Sequence, residues 1–173
     1  MSGAVSLAKA SGGTTLLEAP DSASNFVVDL PNRTTTLDDL KRSGNVLQVV
    51  NATYSTISSS SSLSFVSSGL TASITPTSTT SKIIILITNS AYIASSSMYF
   101  TIYINSTNLA SGVGRFLRLS TTAYHPVSIN CEDSPNTLSA TTYSLYYNSD
   151  GTSGSEIQTD GANATITLME LAG

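Results

Sequence analysis

Tryptophan is absent, cysteine and histidine occur once each, and only 10% of the 173 residues are charged, against about 25% in ordinary soluble domains. Each shortage excludes a class. A lone Cys131 cannot build an intrachain disulfide framework. One histidine and one cysteine cannot fill a structural zinc site. Seven lysines and arginines stand against eleven acids, a formal net charge of −4. That is too little positive charge for the basic stripe with which proteins neutralise nucleic-acid phosphates. The longest unbroken apolar run, residues 83–87, is far short of the roughly 20 residues that cross a bilayer, so no membrane insertion is expected. Residues 1–13 have no basic region followed by an apolar run, so no secretory signal is read there and a soluble chain made in the cytosol is expected.

Hydroxyl groups take the place of charge: the chain holds 32 serines and 24 threonines. The few charges are unevenly placed. No acid occurs between Asp39 and Glu132, and from residue 43 to 131 the only cations are Lys82, Arg115 and Arg118. The six acids after that stretch, Glu132, Asp133, Asp150, Glu156, Asp160 and Glu170, have no basic neighbour in sequence. With a mean hydropathy of +0.12 the neutral stretch does not have the composition of a disordered chain, which pairs low hydrophobicity with high net charge. It reads as strand faces reserved for neighbouring protein, where charge would cost desolvation, with the acidic end facing solvent.

Apolar residues recur with a period of two, the pattern of a half-buried strand. In residues 45–54, Leu47 and Val49 share one face, opposed by Val46, Val50 and Tyr54. Leu63 and Phe65, then Leu70, Ala72 and Ile74, continue the pattern, and Met98, Phe100, Ile102 and Ile104 make one clean stripe. Residues 115–121, 127–131, 141–147 and 164–171 repeat it. Residues 82–88 are apolar on both faces, as expected of a central strand covered on both sides. Turn-forming groups separate these runs: Asn105 to Asn108, Gly112 to Gly114, Asp133 to Asn136, Asp150-Gly151 and Asp160-Gly161. The expected fold is all-β, an antiparallel β-sandwich of jelly-roll type with about 8 to 10 strands over residues 44–173.

Residues 1–43 differ. Their apolar groups come sparsely and in small sets, Val5 and Leu7, Leu16 and Leu17, then Phe26, Val27, Val28 and Leu30. Such a segment has too little to bury by itself. It is expected to be an extended arm held by neighbouring chains, apart from one short helical turn over residues 36–42.

No set of residues points to catalysis. His125 precedes Pro126 in a strand-like stretch, and no G-x-S-x-G elbow accompanies it. Cys131 alternates with Val127 and Ile129 and reads as a small buried apolar group. Glu132 and Asp133 are adjacent and point to opposite faces, so they cannot be a glycosidase pair. Asn148, Asp150 and Glu156 surround a Gly-rich segment that could hold calcium, yet they match an EF-hand loop poorly and read as a solvated hairpin. No enzyme activity, cofactor or metal is expected. Tyr143, Tyr146 and Tyr147 lie on one strand, and tyrosine, with its large ring and polar tip, serves glycan contact and subunit packing alike.

Four segments carry a resemblance. They are the run from Phe26 through Leu30-Pro31 to Thr34-Thr35-Thr36-Leu37, the strand from Gly44 to Val50, the run from Leu70 to Ile83, and the ending from Ile166 to Gly173. Together they resemble small virion proteins of tailed bacteriophages, of the tail-fibre or capsid-decoration kind. The resemblance implies a homotrimer located in the virion. Residues 1–43, through Val5, Leu7, Leu16, Leu17, Phe26, Val27, Val28 and Leu30, would dock onto other virion proteins of tail, neck or capsid, and residues 44–173 would form a trimerising surface module. Unlike long fibres, the chain has almost no shaft between these parts, which argues against a far-reaching receptor role. The alternatives are a capsid decoration protein clamping coat subunits and, in another class, a module that binds a host surface glycan through Tyr143, Tyr146 and Tyr147.

Overall fold

The computed structural model describes residues 43–94, 97–150 and 154–173, together with two short strands near the start of the chain. The chain divides into two units, residues 1–40 and 41–173. In the first, β1 (Val5–Ala8) pairs antiparallel with β2 (Thr14–Leu17), Val5 opposite Leu17 and Leu7 opposite Thr15. Phe26, Val27, Val28 and Leu30, and the helical turn expected over residues 36–42, lie outside the described residues.

Among the described residues, the second unit is an all-β sandwich of eleven strands. Seven are long: β3 (Val46–Tyr54), β5 (Val66–Ile74), β6 (Lys82–Tyr92), β7 (Met98–Ile104), β10 (Tyr124–Asp133), β11 (Thr141–Ser149) and β13 (Ala164–Leu171). Four have three residues or fewer: β4 (Ser58–Ser60), β8 (Thr107–Asn108), β9 (Leu117–Leu119) and β12 (Ser155–Ile157). The first sheet runs β3, β13, β6, β10, with β4 and β12 prolonging the rows of β3 and β13. The second runs β5, β11, β7, with β8 and β9 sharing the row beyond β7. Because β5 and β7 enter the second sheet, β6 and β10 return to the first, and β11 and β13 split again, the strands interleave as in a jelly roll.

The alternation read in the sequence builds the core. Ile83, Ile85, Ile87, Val127, Ile129, Ile166 and Leu168 point inward from the first sheet and meet Leu70, Ile74, Phe100, Ile102 and Leu145 of the second, all at 4% exposure or less. Positive φ falls in the anticipated turns, at Asn105, Gly112, Gly114, Asn136 and Gly161. Leu63 and Phe65 belong to no strand, and Leu63 is 74% exposed; two apolar residues in a serine run are too few to commit a strand. Within residues 115–121 only Leu117–Leu119 pair.

Between β5 and β11 the register jumps from Thr71 opposite Ser144 to Ser67 opposite Tyr146. The bulge requires Gly69 at φ +84°, and the Tyr54 ring lies so close that an added Cβ would sit 2.5 Å from it. Gly69→Ala is therefore expected to lower stability by about 3 kcal/mol, from backbone strain and the clash together. In a Tyr54→Ala background the same change should cost only about 1 to 2 kcal/mol, the strain alone, which urea unfolding of the wild type, the two single variants and the double variant would show.

At the end of β13, Glu170 is fully buried and faces inward, although the acidic end of the chain was expected to face solvent. Oε1 accepts from the Thr77 N–H at 2.7 Å, the Thr77 hydroxyl at 2.8 Å and the Ser81 hydroxyl at 2.6 Å. Oε2 accepts from Gln48 Nε2 at 2.6 Å, and that amide also donates to the Thr75 carbonyl at 2.7 Å. One carboxylate thus ties the β5–β6 connection to β3 and β13.

Candidate subunit interface

Pairing in register places residues opposite one another on the same face. On the outer side of the first sheet this puts Ile84 between Glu132 and Met169, with Val49 beyond Met169, and Leu86 between Asn130 and Thr167, with Asn51 beyond. Ser128, Thr88, Thr165 and Thr53 make the next row. A register shift between Glu170 and Leu171 skips Leu47, so Val46 joins Leu171 on this same outer face. Val46 is 53% and Val49 57% exposed, while Ile84, Leu86 and Met169 are half-buried. The expected grouping of Val46 with Val50 and Tyr54 is thereby overturned, since one bulged residue inverts the alternation.

The central strand β6 was expected to be covered on both faces. Within one chain it is covered on one face only: Ile83, Ile85 and Ile87 contact the second sheet, whereas Ile84 and Leu86 look outward. Charged groups on this outer face stand at its ends. Lys82 and Glu132 form an ion pair of 2.7 Å at one end, and Glu156 sits beside Tyr92 at the other. The polar groups between satisfy one another in part, Asn51 Nδ2 donating to Thr167 Oγ1 at 2.8 Å and the Thr88 and Thr165 hydroxyls lying 2.6 Å apart. A cross-strand hydrogen bond already made needs little from water, which lowers the cost of covering these rows. Beyond them, the Tyr92 and Tyr124 rings meet at 4.8 Å, and a cleft of about 430 Å³ opens beside Ser90, Tyr124 and Pro126.

No family model and no curated protein matches the chain.

The remaining residues singled out in the sequence fall as follows. Tyr143 and Tyr147 are fully buried, their hydroxyls bonded to Asp133 Oδ2 at 2.7 Å and Ser58 Oγ at 2.9 Å. Burial pushes both phenols above their usual range, the Asp133 bond adding to the effect at Tyr143. They are core residues and are withdrawn as glycan or subunit contacts, since odd positions of β11 point into the sandwich; Tyr146 alone of the three faces outward. Cys131 is half-buried, and burial, then the nearby Asp133 carboxylate, raises its thiol to about 11, which keeps it in the unreactive protonated form at neutral pH. His125 Nε2 donates to the Thr121 carbonyl at 2.8 Å.

Asn148 lies near the end of β11 in the second sheet and Asp150 directly follows that strand, whereas Glu156 lies on β12 in the first. Among the described residues β12 pairs with β4 and β6 and not with β11, so the two strands do not form the hairpin expected there. Asp150 Oδ1 accepts the Ser97 N–H at 2.7 Å and Asn148 Nδ2 donates to the Leu63 carbonyl at 2.7 Å. Among the described residues no three His, Cys, Asp or Glu side chains group in a way that would hold a metal ion.

Proposed function

We propose that this chain is a non-enzymatic structural protein of a bacteriophage virion, a short homotrimer whose residues 1–43 attach it to the particle and whose sandwich is displayed on the surface. One observation carries the reading: the outward face of β6, β13 and β3 presents Ile84, Leu86, Met169 and Val49 side by side with charges only at its ends. Removing the exposed half of each such side chain from water contributes about 1 kcal/mol. A second copy is the occupant that matches, because a neutral face can meet its own likeness without opposing like charges. The threefold count and the virion come from the resemblance of the four segments quoted above. The short interval between arm and sandwich favours a compact fitting over a long fibre. Decoration of the capsid is the second reading, and copies per particle distinguish them: hundreds for a capsid clamp, a small multiple of the tail symmetry for a tail or neck fitting.

The test combines sedimentation with particle incorporation. The full chain should sediment as a trimer at micromolar concentration, and a chain lacking residues 1–30 should remain a folded trimer that no longer joins particles. A stable monomer would overturn the assembly, and normal incorporation of the shortened chain would overturn the role of the arm.

A further inference from the structure

The opposite surface of the sandwich, the outer face of the second sheet, gathers what the first lacks. Tyr99 and Tyr103 are half-buried positions on the outer side of β7, while Thr101 between them is fully buried with its hydroxyl donating to Asn108 Oδ1, and Tyr146 of β11 stands opposite Thr101 in register. The rings of Tyr103 and Tyr146 stack with centroids 4.1 Å apart and planes 28° apart. At the other end of the row two guanidinium groups converge on one ring, Arg115 Cζ lying 4.8 Å and Arg118 Cζ 5.7 Å from the Tyr99 centroid. Arg118 Nη2 also donates to Ser97 Oγ at 3.1 Å.

This concentration runs against the composition. Residues 43–173 carry three cations against six acids, and among the described residues the one ion pair takes Lys82. The other two cations are placed on the same ring, where they repel each other and where the quadrupole of Tyr99 holds them in place. Asp150 is the acid nearby, its Oδ2 accepting from the Tyr99 hydroxyl at 3.4 Å. One acid against two guanidiniums leaves this end of the surface net positive. Planar guanidinium groups suit a carboxylate, which they can grip through two parallel bonds. The stacked tyrosines lie about 13 Å along β7 from Tyr99, four residues at roughly 3.3 Å each. Their half-buried rings offer an apolar platform with a polar rim, which fits the face of a sugar ring. Among the described residues, β7 and β11 carry no charged side chain between the two ends, so a polyphosphate or a strongly acidic peptide would find few partners for its other charges.

From this arrangement we infer that the outer face of the second sheet binds a short acidic saccharide, its carboxylate on Arg115 and Arg118 and a sugar ring further along the saccharide on Tyr103 and Tyr146. The site is independent of the proposed subunit contact, which uses the other sheet.

Titration of the full chain with trigalacturonate, 3′-sialyllactose and maltotriose, followed by amide NMR shifts, tests it. At least one of the two acidic sugars should bind with millimolar or better affinity, shift resonances of β7, β9 and β11, and bind at least tenfold more tightly than maltotriose. Arg118→Gln and Tyr146→Ala should each weaken that binding at least fivefold while leaving the sedimentation of the protein unchanged. Failure of both acidic sugars to bind, equal binding of maltotriose, or undiminished binding by the two variants would overturn the assignment.

Discussion

Glu170→Ala should lower the stability of the sandwich by about 4 kcal/mol, the largest loss expected from any single side chain outside the apolar core. The carboxylate is fully buried and accepts four hydrogen bonds, from Thr77 twice, Ser81 and Gln48. Alanine deprives all four donors of that acceptor and opens a space at the junction of β3, β13 and the β5–β6 connection. Glu170→Gln should cost less, about 2 kcal/mol, since one oxygen remains, but its new NH2 group then confronts the Gln48 amide donor. Burial alone would raise the carboxyl above its usual value near 4.5, but the bonds from Ser81, Gln48 and Thr77 outweigh it and hold the group below that value. The unfolded chain therefore takes up this proton at a higher pH than the folded chain does. Glu170 contributes its full stabilisation above the ordinary glutamate range, and the contribution is lost as pH falls through the lower folded-state value. Urea midpoints at fixed protein concentration should show a large gap between wild type and Glu170→Gln at pH 7, narrowing below pH 4. A gap that stayed constant with pH would mean that the side chain acts through its shape and not through its charge.

Leu86→Glu should convert the proposed trimer to monomers without unfolding them. Leu86 is half-buried on the outward side of β6, between Asn130 and Thr167 in register, so within one chain the new carboxylate stays in reach of water. In the assembly each subunit would carry an unpaired charge into the contact, at an effective penalty of several kcal/mol per ion. Association should weaken by about a thousandfold or more, since 1.4 kcal/mol is a factor of ten. Ser73→Glu provides the control: Ser73 lies on the outer face of the second sheet, where its hydroxyl meets Thr142 Oγ1 at 2.7 Å. Analytical ultracentrifugation should find the Ser73 variant associated and the Leu86 variant monomeric, with the same strand signature by circular dichroism. A folded Leu86→Glu protein that still sediments as the assembly would remove this face from the contact.

The long strands were legible because alternation over seven or more residues leaves little freedom of interpretation. Met98, Phe100 and Ile102 had to share a face whatever the topology, and all three are buried. Of the strands of two or three residues, β4, β8 and β12 were not legible, because so few residues cannot display a period, and β9 was legible only as part of the longer run 115–121. They are strands only because a longer neighbour offers its edge. Parity failed where one residue is extra. Val46 was assigned to the face of Val50, and the skipped Leu47 turned it outward. The tyrosines of β11 show a different shortfall: their strand was plain in the sequence, but which side of it faces the other sheet was not, and so Tyr143 and Tyr147 were candidates for contact until burial placed them in the core.

By itself, then, the sequence determined the class of fold, the turns at Asn105, Gly112, Asn136 and Gly161, and the neutrality of the long middle stretch, because these depend on periods and compositions that are local to the chain. Only the tertiary structure decided what that neutrality surrounds. Pairing β6 with β10 and β13 aligned Ile84, Leu86 and Met169 into one uncovered apolar face, and pairing β7 with β9 and β11 brought two distant arginines onto Tyr99 beside the stacked pair Tyr103 and Tyr146. It also turned Glu170, one acid among six near the end of the chain, into a buried anchor. In each case the partners lie on different strands or loops, 16 or more residues apart in the chain, and only strand register, set by the whole sandwich, brings them together.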